Sequence, residues 1–192
     1  GKTILLNKIK NAIDLEAIAH HRGSSFGRKI TPQPAQINFE HSLAYDLIQK
    51  LDKGFNTLLF EDEGKHVGNL YLPKNFATYL SNAPLIVLET PFEERIEITF
   101  DEYILKAQES YKNTFKDNYF KLWATDIEKA MLRIQKRLGN LRYKIVCELF
   151  QNAVNIQTNS GNLDAYKDWI SYLLNEYYDP MYDYQLEKNK ER

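Results

Sequence analysis

The chain has 192 residues, 43% hydrophobic and 27% charged, the balance of one ordinary globular domain or one domain with a small appendage. Its six prolines and eight glycines exclude a disordered or fibrous chain, and the apolar run Ala83 to Leu88 falls far short of the ~20 residues a membrane helix needs. A formal net charge of −1 means that any polyanion must be held by a local patch, and the single Cys147, without a zinc pattern around it, fits a reducing cytoplasmic setting.

The chain opens Gly1-Lys2-Thr3, the residues that end a phosphate-binding loop, with neither an initiator methionine nor a signal peptide, so it reads as a fragment whose first strand and half-loop lie upstream. Residues 2 to 12 carry Ile4, Leu5, Ile9 and Ala12 or Ile13 at helical spacing, and residues 12 to 16 read as a short strand. A loop follows, broken by Gly23, Gly27, Pro32 and Pro34. From Pro34 to Leu51, the recurrence of Phe39, Leu43, Leu47 and Leu51 every four residues predicts an amphipathic helix. Residues 57 to 60 then form a buried strand that runs into Glu61, Asp62 and Glu63, and residues 83 to 89 form a second. This alternation predicts an α/β fold over residues 1–91, a P-loop NTPase-like parallel sheet with its first strand truncated. Residues 92–192 read as a helical subdomain with a docked Tyr-rich tail. Its helices are predicted at 121–138, 142–156 and 163–177, with turns at Gly139-Asn140 and Asn159 to Asn162.

In a complete loop the lysine reaches the terminal phosphates and the hydroxyl serves Mg²⁺. Gly1, Lys2 and Thr3 are therefore a phosphate-loop remnant or an arbitrary helix start. The loop from His20 to Gly27 places Arg22, Gly23, Ser24 and Ser25 after a strand, where they form either a backbone nest for an anion or an ordinary Gly/Ser turn. Glu61, Asp62 and Glu63 are Mg²⁺ candidates or a solvated acidic turn. Among the charges after Pro91, Arg95 stands out as the one cation. Lys129, Arg133, Lys136, Arg137, Arg142 and Lys144 follow one another without an acid, which suits a phosphate backbone, with Trp123 and the tyrosines available to stack on bases. A solvated helix face is the competing reading. In the segment from Tyr177 to Tyr184, which includes Tyr178 and Tyr182, Pro180 forbids a continuous regular helix. Cys147 falls at an apolar helical position and reads as core.

These segments in this order resemble a known family. Asp14-Leu15-Glu16, then His21-Arg22-Gly23-Ser24-Ser25-Phe26-Gly27, Gln36, Phe39-Glu40, Glu61-Asp62-Glu63, Gly68, Leu72-Pro73, Arg137-Leu138-Gly139 and residues 177–185 look like the C-terminal domain of bacterial tRNA 2-selenouridine synthase. The resemblance implies an enzyme that joins an N-terminal rhodanese domain to a phosphate-loop domain. It converts wobble 2-thiouridine to 2-selenouridine with selenophosphate, through an S-geranylated intermediate made from geranyl diphosphate. Carried onto this chain, it implies catalytic roles for Lys2, Arg22 and Asp62 and a phosphate site of Gly1, Lys2, Thr3, Arg22, Gly23, Ser24 and Ser25. Mg²⁺ would sit on Thr3, Glu61 and Asp62. The tRNA would lie on Lys129, Arg133, Lys136, Arg137, Arg142, Lys144, Tyr178 and Tyr182. The implied partners are tRNA and the rhodanese domain, with no membrane. The chain lacks that domain and its cysteine, so the fragment alone is expected to be inactive in selenation. A P-loop small-molecule kinase or NTPase and a non-catalytic RNA-binding module are the alternatives.

Overall fold

Parallel pairing of two short strands organises the first part of the chain. The structure is a computed structural model that describes residues 2–192. It divides into two compact units, one running to Glu89 and including Arg192, the other spanning Thr90–Glu191.

In the first unit α1 (Lys2–Leu6) leads to β1 (Ala12–Ile13), which pairs with β2 (Leu59–Phe60) in the register Ala12 to Leu59 and Ile13 to Phe60. The strand predicted over residues 12 to 16 stops early. Asp14 accepts a hydrogen bond from the Ala17 N–H at 2.7 Å and so caps α2 (Leu15–Ile18); the capping acid turns the chain helical at the strand's end. The helix α3 (Gln36–Asp52) buries Phe39 and Leu43 against Ile13, Leu15, Val67, Leu70 and Leu72, each buried side chain contributing about 1.5–3 kcal/mol. Leu51, expected on the same face, is exposed. A hairpin of β3 (His66–Val67) and β4 (Leu70–Tyr71) and the helix α4 (Lys74–Ser81) complete the unit.

Residues 83 to 89 form no strand, which corrects the sequence expectation. Their apolar side chains suit a sheet, but no neighbouring strand takes their backbone groups, and Ile86, Val87 and Leu88 are exposed. Leu85 N–H instead donates to the Arg192 carbonyl at 3.3 Å. The described residues are therefore mostly helical with a small parallel sheet.

The second unit is helical: α5 (Phe92–Phe100), a π-helical turn (Asp101–Leu105), α6 (Lys106–Phe115), a 3₁₀ turn (Lys116–Asn118), α7 (Tyr119–Leu138), α8 (Asn140–Ser160), α9 (Ala165–Leu173), a second π-helical turn (Leu174–Tyr178) and α10 (Asp179–Lys188). The chain remains helical up to Pro180 because the π turn precedes it and Pro180 falls in the first turn of α10, where its missing N–H costs nothing. Arg95 pins this junction through Nη1 to Asp179 Oδ1 at 2.5 Å and Nη2 to Oδ2 at 2.9 Å. Trp123 is not a stacking platform. Only 1% exposed, it packs against Phe120, Phe150 and Tyr166. Cys147 is half-buried, not core.

Candidate phosphate and nucleic-acid sites

Ligand sites in open α/β sheets gather at the carboxyl ends of the strands. Here those ends deliver acids: Asp14 and Glu16 follow β1, and Glu61 and Glu63 follow β2. Glu61 is 2% exposed. Its Oε2 accepts the Leu15 N–H at 2.8 Å, while Oε1 is buried without a hydrogen-bond partner. Glu63 Oε1 accepts from Lys2 Nζ at 3.0 Å, and Glu63 is also hydrogen-bonded to Glu16. Burial first, and then the Glu63 charge, push the Glu16 carboxyl up to about 8, against the opposing pull of Lys2. Burial and the Asp14 charge raise Glu61 to about 7, against the Leu15 N–H bond. At neutral pH Glu16 is therefore mainly protonated and donates to the Glu63 carboxylate, whose charge Lys2 balances.

The loop from His21 to Gly27 closes over this pair. Gly23 has a φ of +68°, which strains any other residue, and a Cβ there would also lie 2.6 Å from both Glu16 Oε1 and Glu63 Oε2 and push these carboxylates aside. The loop also hydrogen-bonds to itself. Arg22 N–H donates to Gly27 O, Gly23 N–H to His21 Nδ1, Ser24 N–H to Arg22 O and Gly27 N–H to Ser24 O. Behind it, Gln33 donates to the carbonyls of Ala19 and Val67 and accepts from Asn69 N–H, locking the loop to the hairpin.

Of the predicted residues, Lys2 reaches the carboxyl pair, with Thr3 beside it on α1. Gly1 lies outside the described residues. Asp62 turns elsewhere: its Oδ2 accepts from Arg192 Nη1 at 2.9 Å. Of the Mg²⁺ candidates, Glu61 Oε2 accepts from Leu15 N–H and Asp62 Oδ2 from Arg192, while Glu61 Oε1 has no hydrogen-bond partner. Among the described residues no group of three or more His, Cys, Asp or Glu side chains could hold a metal ion. Glu16 enters the sequence reading only within the motif Asp14-Leu15-Glu16, without a site role, and Gln33, between two prolines, carries no signal there.

The cationic run occupies the end of α7 and the start of α8. Lys129 pairs with Asp126 at 3.0 Å, Arg142 with Glu176 at 2.8 Å and Lys144 with Glu148 at 3.8 Å. Arg133, Lys136 and Arg137 are exposed on α7. Tyr178 stacks on Tyr182 with ring centroids 6.4 Å apart and meets Tyr177 edge-on at 5.0 Å. Tyr182 is exposed.

No helix of the described residues is long and apolar enough to cross a membrane. A family model described as the tRNA 2-selenouridine synthase AAA domain matches residues 1–192. Among curated relatives, a protein from Sulfurovum sp. (strain NBC37-1) is 65% identical over 192 residues, which are all of this chain and 53% of that protein. One from Hydrogenovibrio crunogenus is 44% identical, covering 99% of this chain and 51% of its own length. One from Pseudomonas aeruginosa is 38% identical, covering 100% and 52%. All three are named tRNA 2-selenouridine synthase, and this chain spans about half of their length. No solved structure matches it. With a family model over its whole length and relatives this similar across all of it, the chain belongs to the tRNA 2-selenouridine synthase AAA-domain family.

Proposed function

We propose that this chain is the phosphate- and tRNA-holding half of an enzyme that converts wobble 2-thiouridine in tRNA to 2-selenouridine through an S-geranylated intermediate. The observation that carries the reading is the Lys2–Glu63–Glu16 arrangement at the strand ends beneath the Arg22–Gly27 loop. The relatives' names support the tRNA-modifying part.

In this reading the Lys2 ammonium exchanges Glu63 for an oxygen of geranyl diphosphate. Protonated Glu16 keeps the carboxyl pair at a single negative charge, which limits its repulsion of the arriving anion. The thiouridine sulfur then bonds to the first geranyl carbon as that carbon's bond to oxygen breaks. The electron pair leaves with diphosphate, and the base gives up its N3 proton. Lys2 and Arg22 stabilise the charge that accumulates on the leaving group. The α7–α8 cations hold the phosphates of the anticodon arm. In the full-length enzyme, Lys2→Ala should slow geranylation of 2-thiouridine tRNA by about 10²- to 10³-fold, the cost of losing one fixed donor to a developing anion. Geranylation at the parental rate by a folded variant overturns the assignment.

A further inference from the structure

The helix α3 has two apolar faces. Phe39, Leu43 and Leu47 line the one packed on the core. Turned away from the core, Ile37, Tyr45, Ile48 and Leu51 are 56%, 63%, 55% and 58% exposed, Leu51 being the one nearest the core-packed face. At 100° per residue, Ile37, Ala44, Ile48 and Leu51 fall within about 60° of arc, and His41, Asp52 and Tyr45 widen the face to about 120°. The stripe runs about 21 Å along the helix at 1.5 Å per residue. A surface helix normally carries charges on that side. Here the neighbouring charged groups turn away or end the helix: Glu40 accepts from Gln36 and Lys50 donates to the Lys10 carbonyl, and Asp52 closes the last turn.

We infer that the Ile37–Tyr45–Ile48–Leu51 face of α3 is the docking surface for the other half of the full-length protein. This rests on the reading of the chain as one half of a longer protein, whose relatives are about twice its length. The chemistry of the face selects the partner. Without a cation at its centre it does not suit tRNA, whose phosphates demand positive charge. Four large side chains on one helix are too few for free association of two copies, since a standard stable interface takes roughly 20–30 residues a side. A covalently linked half needs far less surface, because the tether holds it at an effective concentration on the order of millimolar. An apolar patch of this size, open in this chain and covered in the whole, fits such a domain contact.

The test uses the full-length protein with the photo-cross-linking residue p-benzoylphenylalanine in place of Tyr45, and needs neither diphosphate nor tRNA, so its failure is separable from failure of the proposed chemistry. After irradiation of the monomer, cross-linked peptides are mapped by mass spectrometry. The expected result is cross-links to residues outside this chain, reduced at least tenfold when Ile37→Glu and Ile48→Glu are added. Cross-links confined to this chain, cross-links to a second copy, a yield indifferent to the two glutamates, or no cross-links at all overturn the inference.

Discussion

Glu16 and Glu61 set the electrostatic character of the first unit. Both carboxyls have an ordinary value of 4.5 and are raised in the folded chain, Glu16 to about 8 and Glu61 to about 7. A folded state that binds protons more tightly than the unfolded chain loses stability as pH rises. The stabilisation from these two groups is therefore complete below pH 4.5 and is lost through about 7 for Glu61 and about 8 for Glu16. Thermal midpoints should fall between pH 5 and 8.5, and Glu16→Gln, which keeps a donor toward Glu63 without the charge, should flatten the fall. Melting curves for parent and variant should coincide near pH 5 and separate at pH 8.5, with the variant higher; a gap independent of pH would contradict the assignment. Glu61 was legible in the sequence because an apolar strand, half-buried in the structure, ends on it. Glu16 was not, because its partner Glu63 lies far along the chain, and only the parallel pairing of β1 with β2 brings them together. The Gly23 requirement has two causes: the turn's positive φ, which a Gly/Ser-rich loop already suggests, and the two carboxylates against it, which only the strand pairing brings there.

At the scale of elements, long helices were legible and short strands were not. The spans 121–138 and 142–156 showed sustained 3.6-residue periodicity, and the structure has α7 and α8 there, each slightly longer. Residues 83 to 89 look like a strand by composition, yet strand formation depends on a neighbour, and composition does not say whether one is present. The hairpin at Val67-Gly68-Asn69-Leu70 carries a two-residue Gly-Asn turn signal, but its strands of two residues each are too short to show alternation. The α7–α8 cations illustrate a further limit. Sequence shows six without an acid among them, but Asp126, Glu176 and Glu148, which lie outside the run, pair with Lys129, Arg142 and Lys144. The cations should therefore differ in their contribution to tRNA binding. Lys136→Glu with Arg137→Glu should reduce the slope of log affinity against log salt by about 2, one per lost phosphate contact. Lys129→Glu and Arg142→Glu, whose charges already have partners, should change it less. Equilibrium binding of the full-length protein across a salt series measures both, and equal slopes in all variants would return the α7–α8 face to solvent.

At the scale of the whole molecule, the two units stand on separate cores. In the first, Phe39, Leu43, Val67 and Leu70 gather beneath two strands of two residues each, and so small a sheet supplies little cooperativity of its own. The second is built on Trp123, Phe150, Tyr166 and Trp169. It is tied across α6, α8 and α9 by a partly buried polar chain in which Tyr166 donates to Gln157 at 2.7 Å and Gln157 to Gln108 at 2.7 Å. Satisfied polar chains of this kind fix one packing among alternatives. Residues 90–191 should therefore fold when expressed alone, with full helical circular dichroism and a sharp melt. Calorimetry of the whole chain should show two transitions, the upper one at the midpoint of that fragment. Ligand linkage then assigns the phosphate site without kinetics. A ligand that binds only folded protein stabilises the unit holding its site, by about 2.7 kcal/mol at a hundredfold excess over Kd. Inorganic diphosphate bound at Lys2 should raise the lower transition and leave the upper in place. Movement of the upper transition alone would put the anion on the helical unit, where the α7–α8 cations are, and would detach Lys2 from diphosphate binding.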